Sequence, residues 1–217
     1  WLGREISTEV LDNAIEVYNE NRRLLRRICE LRRQYGTVIL GSEFMSIVTA
    51  SQVMDKAEAN AMLREFIPQL EAREPYPDRI RLMLVGSETH DIALEEMVES
   101  LGANIVIDEL DNGTSYYWNE VIPQQDRLMA FALRYLGRPH NPIKDNNYRR
   151  RPQRIFELTE DFFVDGVIIA KQIYCHLHGT DNYAVWKMLR ERNIPYTYFE
   201  RDNTLNEDEM YLRLESF

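Results

Sequence analysis

Apolar residues recur every three or four positions along the first third of the chain. In the stretch ISTEVLDNAIEVYNENRRLLRRICELRRQYG they form one broad face, which predicts a long amphipathic helix. Ser7 is suited to cap the first turn of this helix, and Gly36 is suited to end it. The helical spacing continues through residues 41–70 as two further helices, before Pro68 and later prolines interrupt it.

Compact apolar runs replace this spacing after Asp78. RIRLMLVG and NIVIDE each predict a buried strand, and the helix between them ends at Gly102. DGVIIAKQ and PYTYFERD predict two more strands, with helices before, between and after them. We therefore predict a helical region over residues 1–75, followed by an α/β region over residues 76–217 with a doubly wound, mainly parallel, Rossmann-like sheet.

Charge and hydropathy narrow the possible partners. The formal net charge of −10 disfavours non-specific nucleic-acid binding, which depends on a positive field. No apolar stretch approaches the roughly 20 residues that a membrane helix needs, and no signal-peptide pattern opens the sequence. We expect a cytoplasmic protein. Because the sequence opens at Trp1 without an initiator methionine, we also expect it to be part of a longer protein.

Ligands of doubly wound sheets bind beyond the carboxyl ends of the strands. Three segments follow predicted strands there, namely GSETHD, DELDNGTSYYW and KQIYCHLHGTD, and the last contains Cys175. This cysteine is a candidate metal or cluster ligand, a nucleophile activated by His176 or His178, or an inert packed thiol. One short loop supplies too few ligands to close a zinc site, and adjacent residues seldom face each other, so the residues alone leave the three roles open.

The other notable residues each have a structural and a functional interpretation. Cys29 lies among apolar residues of the first helix, which favours a buried thiol. The Asn112-Gly113 pair predicts a turn with the following aromatic residues packed beside it, or alternatively an aromatic wall for a flat substrate. The basic segment KDNNYRRRPQR is either a solvated loop, a contact between subunits or a site for substrate phosphates; its cations are Lys144, Arg149, Arg150, Arg151 and Arg154.

Several longer segments occur in a recognisable order along nearly the whole chain. They are WLGREIS, AIEVYNENRRLLRRICELR, SEFMSIVTASQVMDKAEA, RIRLMLVGSETHD, LGANIVIDELDNGTSYYW, RYLGRP, DGVIIAKQIYCHLHGTDNYAVWKMLRERNIPYTYFERD and RLESF. In this order they resemble the C-terminal part of the 2-hydroxyacyl-CoA dehydratase and benzoyl-CoA reductase family. The segment that begins at Cys175 is most similar to the benzoyl-CoA reductase branch.

The resemblance implies an iron-sulfur enzyme that acts on a CoA thioester. Members hold a cluster, which we expect to be 4Fe-4S, on three cysteines, and Cys175 matches the third. The other two belong to a front domain that this sequence lacks, so we expect the isolated chain to be inactive. Implied partners are a sister subunit and an ATP-hydrolysing activator that delivers low-potential electrons. The implied reaction is reduction of benzoyl-CoA, with ketyl-radical dehydration of a 2-hydroxyacyl-CoA as the alternative.

Two further interpretations stay open beside these reactions. A non-catalytic scaffold or electron-transfer subunit is the alternative from another class, and a zinc or thiol hydrolase is the least favoured. In the implied chemistry a positioned acid supplies a proton, for which His90, Asp91, Glu88 and His176 are candidates. Each also suits a helix cap or a hydrogen-bonding role, and His176 and His178 suit support of the site better than iron ligation.

Overall fold

The computed structural model describes residue 3 and residues 5–89, 92–142, 150–202 and 207–217. The helices described there are α1 (Thr8–Leu31), α2 (Gly41–Val53), α3 (Lys56–Glu71), α4 (Ala93–Ser100), α5 (Thr114–Tyr117), α6 (Arg127–Leu136), α7 (Arg150–Asp161), α8 (His176–Glu191) and α9 (Glu207–Glu215). The strands are β1 (Ile80–Gly86), β2 (Ala103–Glu109), β3 (Gly166–Gln172) and β4 (Tyr196–Arg201). None of these described helices is long and apolar enough to cross a membrane.

The four strands form one sheet in which every described pairing is parallel, in the order β2-β1-β3-β4. From β1 the chain passes through α4 to β2 on one side, and it then returns across β1 to place β3 on the other side. The direction of winding therefore changes between β1 and β3, which is the point where doubly wound sheets bind ligands. The predicted doubly wound, parallel α/β fold is confirmed.

Apolar side chains of the strands alternate between two cores, one on each face of the sheet. Met83 and Val85 belong to a core that also contains buried residues of α1, α2, α3, α7 and α8, whereas Leu82 and Leu84 belong to a core with α4 and α9. Helices therefore cover both faces, as predicted. The first core unites the helical region with the sheet, and the division at residue 75 into two domains stays a prediction.

The ends of two predicted helices differ from the structure. Ser7 caps α1 as expected, because its Oγ accepts the N–H of Val10 at 3.3 Å. Helix α1 ends at Leu31, five residues before Gly36, because the guanidinium of Arg81 donates to the carbonyls of Arg32, Arg33 and Gln34 that follow. Gly36 instead takes a positive φ of 70° in the loop after the helix.

Pro68 lies inside α3 and does not end it. A proline lacks one N–H, but its carbonyl still accepts the N–H of Ala72 at 3.1 Å, so the last turn of the helix closes. The sequence pattern also missed the four-residue helix α5, which follows the predicted turn at Asn112-Gly113. That turn is present, with the N–H of Gly113 donating to the carbonyl of Leu110.

Candidate functional site at the carboxyl edge of the sheet

The loops that follow the strands are joined to one another by hydrogen bonds at the carboxyl edge of the sheet. The N–H of Asp111, after β2, donates to the carbonyl of Ser87, after β1, at 2.6 Å. Thr89 donates its N–H to Asn112 Oδ1 at 3.2 Å and accepts Arg201 Nη1, at the end of β4, at 2.7 Å. The N–H of Ile173, after β3, donates to the carbonyl of Arg201 at 2.8 Å, so the three predicted strand-end segments lie along one shared edge.

Two glycines permit the close contacts on which this edge depends. A side chain at Gly86 would approach the carbonyl oxygen of Ala170 within 2.4 Å, so only glycine lets β1 and β3 meet closely at the switch point. A side chain at Gly113 would meet Asp108 Oδ1 at 1.9 Å. This carboxylate oxygen accepts the N–H of Thr114 at 2.7 Å and thereby fixes the start of α5.

Cys175 lies three residues beyond the last residue of β3, at the position that caps the N-terminus of α8. The preceding Tyr174 has a positive φ of 63°, and the N–H of Cys175 donates to the carbonyl of Gln172 at 3.1 Å, so the chain turns sharply out of the strand. The thiol-bearing residue is partly exposed. The N-terminus of this 16-residue helix favours negative charge.

The two histidines after Cys175 have different environments. His176 is exposed in the first turn of α8, so it is accessible from solvent. His178 is buried, with 1% of its surface exposed, and neither ring nitrogen has a hydrogen-bond partner among the described residues. Its nearest carboxylate oxygen is Oδ2 of Asp111, which lies 3.9 Å from Nε2. The structure therefore turns His178 inward toward the loop after β2.

A buried ion-pair network lies directly below this edge. Arg151, only 2% exposed, donates Nε to Glu109 Oε2 at 2.8 Å and Nη1 to Asp181 Oδ2 at 2.5 Å. Both carboxylates are also buried. The network joins the end of β2 to the starts of α7 and α8, and it thereby holds the helix that carries Cys175 at its N-terminus.

The sequence profile of the family described as 2-hydroxyglutaryl-CoA dehydratase, D-component, matches residues 1–217. The chain belongs to this family. The match confirms the resemblance drawn from the ordered sequence segments, and it includes the region where Cys175 lies. The fold by itself favours the carboxyl edge as the location of a ligand crevice.

Three curated relatives of the family show low identity to the chain. It is 26% identical to the (R)-phenyllactyl-CoA dehydratase beta subunit of Clostridium sporogenes, over 92% of this chain and 54% of the relative. It is 25% identical to a benzoyl-CoA reductase subunit of Thauera aromatica (91% and 53%) and 22% identical to the lactoyl-CoA dehydratase beta subunit of Anaerotignum propionicum (100% and 59%). The chain therefore spans about half the length of the curated relatives it matches.

The remaining candidate residues fall into three groups. His90, Asp91, Lys144 and Arg149 lie outside the described residues. Glu88 is exposed after β1, and Arg150 is exposed at the start of α7. Arg151 is one of the candidate phosphate ligands of the basic segment, and both of its ion-pair partners in the structure are protein carboxylates in the interior. This network is the feature that the sequence pattern missed, because Glu109, Arg151 and Asp181 are far apart in the chain.

Glu109 makes the stability of this family member depend on pH. Burial raises the pKa of Glu109 to about 7, although Arg151 lowers it in part. The folded chain thus binds more protons than the unfolded chain between about pH 4.5 and pH 7. The contribution of Glu109 is present below that window and is lost as the pH rises through 7. Titration of Glu109 lowers the free energy of unfolding by at most roughly 3 kcal/mol across this window. We expect Glu109→Gln to remove this pH-dependent loss.

Urea unfolding at several pH values between 5 and 8 measures this effect. A glutamine oxygen still accepts the N–H of Arg151, so the variant removes the titration and keeps the hydrogen bond. Glu96→Gln, which changes an exposed carboxyl of α4, is the matched control and is expected to follow the unchanged protein. Parallel pH profiles for Glu109→Gln and the unchanged protein would contradict the assignment.

Proposed function

We propose that the chain is part of a subunit of an iron-sulfur enzyme that transfers single electrons to a CoA thioester, with Cys175 as one ligand of the cluster. The observation that carries the proposal is the position of Cys175, a partly exposed thiol at the winding switch of the sheet and at the N-terminus of a long helix. Family membership and the CoA-thioester enzymes among the relatives support it.

The donor atoms of this chain fit one corner of such a cluster. Thiolate sulfur is the protein ligand that iron-sulfur clusters use, and Cys175 presents sulfur at an accessible edge. Within residues 5–89, 92–142, 150–202 and 207–217, no group of three or more histidine, cysteine or acidic side chains is placed to hold a metal ion. The proposal therefore assigns the other ligands to polypeptide beyond these residues. When bound, the cluster would supply single electrons to the substrate.

The chain's own residues have defined parts in this proposal. The Arg151 network holds the start of α8 and hence the position of Cys175. The loops after β1 and β2 form the neighbouring wall of the crevice, with Ser87 and Asp111 tied together. His176, exposed beside Cys175, stays a candidate proton donor. A sister subunit and an ATP-hydrolysing activator are proposed partners, and the relatives' names as subunits support the first.

Benzoyl-CoA is the proposed substrate, because the segment from Cys175 to Asp181 resembles the benzoyl-CoA reductase branch. Dehydration of a 2-hydroxyacyl-CoA is the second candidate, favoured by relatives that are phenyllactyl-CoA and lactoyl-CoA dehydratase subunits. The two reactions start from the same kind of thioester and the same electron supply. The two reactions differ in the fate of the electrons. In the reduction, two electrons and two protons are retained in the aromatic ring; in the dehydration, one electron drives loss of the hydroxyl group and is then returned.

Product identity distinguishes these reactions. The protein is purified anaerobically with its sister subunit and supplied with activator, ATP and either benzoyl-CoA or a 2-hydroxyacyl-CoA, and the thioesters are analysed by mass spectrometry. We expect benzoyl-CoA to gain two hydrogen atoms, whereas loss of water from the hydroxyacyl thioester would assign the dehydratase reaction. An iron-containing complex that converts neither thioester would contradict the catalytic proposal and favour an electron-transfer subunit.

A further inference from the structure

A cavity of about 630 Å³ opens between the end of α6 and the start of α7. Its size lies within the range of small-molecule sites, roughly 300–1,000 Å³. The polar and aromatic residues that line it include Trp118, Arg138, His140, Arg150, Arg154 and Glu157. Because the chain as a whole is acidic, with a formal charge of −10, a cavity lined by three arginines is an unusual local environment.

Arg154 is the half-buried anchor of this cavity. Its guanidinium carbon lies 4.3 Å from the centre of the Trp118 ring, which holds the planar group in one orientation. The Trp118 backbone is fixed in turn, because its carbonyl accepts Arg26 Nη1 at 3.1 Å. The Nε and Nη2 atoms of Arg154 are buried and have no hydrogen-bond partner among the described residues. These two atoms are therefore enclosed by protein, and the part of Arg154 that lines the cavity brings the charge of its guanidinium close to an anion bound there.

The carboxylates of the interior influence Arg154 only through their charge, without a hydrogen bond to it. Burial lowers the pKa of Arg154, while Glu109 and Asp108 favour its charged form from the interior side. Glu109, however, accepts its hydrogen bond from Arg151. The charge of Arg154 is therefore supported at a distance by these carboxylates and not by a direct ion pair.

Two further arginines surround the same space. Arg150 is exposed at the first position of the 12-residue helix α7, where the helix N-terminus adds to the positive field. Arg138 is held in place by donating Nε to the carbonyl of Ser115 at 3.0 Å. Among the described residues of the lining, Glu157 is the one acid, and its carboxylate accepts the amide of Gln153 at 2.9 Å. Three guanidinium groups therefore outnumber one carboxylate there.

We infer that this cavity binds the phosphate group of an organic phosphate through the guanidinium charges of the half-buried Arg154, the exposed Arg150 and Arg138. A phosphate monoester offers three acceptor oxygens and two negative charges, and several forked guanidinium groups bind such a group more effectively than they bind a carboxylate. The phosphate can belong to CoA or to a free nucleotide. The CoA source rests on the proposed function, whereas the phosphate site itself does not.

Titration calorimetry with the purified protein tests the inference. The probes are CoA, dephospho-CoA, adenosine 3′,5′-bisphosphate, ATP and inorganic phosphate. We expect Arg150→Ala and Arg154→Ala each to weaken binding of the preferred phosphate by about 10- to 100-fold. Arg154→Lys should have an intermediate effect, because it keeps the charge and loses the fork. Tighter binding of CoA than of dephospho-CoA assigns the 3′-phosphate, and preference for ATP assigns a nucleotide.

Arg192→Ala is the matched control for Arg154→Ala. Arg192 also stacks on an aromatic ring, with 4.0 Å between its guanidinium carbon and the centre of Phe156, but it does not line this cavity. We expect this variant to bind the probes like the unchanged protein. The inference is overturned if none of the probes binds, if Arg150→Ala and Arg154→Lys bind them normally, or if Arg192→Ala loses as much affinity.

The outcomes also separate this site from the proposed reaction. If the protein binds phosphate but converts neither thioester, the inferred phosphate site would stand and the catalytic proposal would be contradicted. If Arg150→Ala converts the thioester with an unchanged KM and binds the probes normally, the proposed reaction would stand and the phosphate site would be contradicted. Because Arg150 is exposed, its replacement tests the inference even if the Arg154→Ala variant, at a half-buried position, fails to fold.

Discussion

Replacement of Cys175 by serine is expected to reduce the iron and sulfide of the anaerobically purified complex to background and to abolish thioester conversion. A serine hydroxyl has the shape of the thiol but keeps its proton near neutral pH, and its oxygen is a poor match for the soft thiolate position of a cluster. Iron and sulfide analysis of the complex, together with its visible absorption spectrum, measures this effect. Circular dichroism checks that the variant is folded.

Cys29→Ala is the matched control, because it removes the other cysteine of the chain. Cys29 is only 1% exposed in the core between α1 and the sheet, and burial raises the pKa of its thiol to about 11. A protonated, buried thiol does not bind iron. We expect this variant to be somewhat less stable and to retain its iron. Equal iron content in Cys175→Ser and the unchanged complex would refute the ligand assignment.

Arg151→Ala is expected to lower the free energy of unfolding by about 3–5 kcal/mol, the usual effect of removing one partner from a buried ion pair. The large effect arises because Glu109 and Asp181 would both remain buried without a positive partner. Urea unfolding at pH 7.5 measures it, with circular dichroism as the probe. Arg151→Lys is expected to recover part of the loss, since one amine cannot reproduce both bonds of the fork.

Arg150→Ala provides the comparison for this experiment. It removes the same side chain from the neighbouring position, but Arg150 is exposed, so its loss is expected to change the free energy of unfolding by less than about 0.5 kcal/mol. A change of less than about 1 kcal/mol in Arg151→Ala would mean that the ion pairs in the interior contribute little beyond their desolvation cost.

The fold was largely predictable from the sequence because each strand is a short apolar run between helical segments. The four strands, their parallel arrangement and the strand-end position of Cys175 all follow from that alternation. The end of α1 was not predictable, since the guanidinium that captures the carbonyls after Leu31 belongs to Arg81, on β1. Local helix propensity cannot predict a contact between residues so far apart in the sequence.

The site was predictable only in part, for a similar reason. Because Cys175 follows a predicted strand, the sequence predicts that it lies at the crevice. Nothing in the basic run RRRPQR, however, distinguishes the arginine that turns inward from those that face a cavity. Helical geometry makes the difference, because Arg150 and Arg154 line the cavity on one face of α7 while Arg151 points to Glu109 and Asp181. The partners that fix each arginine become apparent only in three dimensions.

The hydrogen bonds among the strand-end loops affect how a substrate can be enclosed. Ser87, Thr89, Asn112 and Arg201 fasten the segments after β1, β2 and β4 to one another, so no single segment can swing down like a flap without breaking its neighbours' bonds. A thioester that settles on this edge would meet a preformed floor. Any closure that shields the reaction from water would then have to come from the surface that faces this edge.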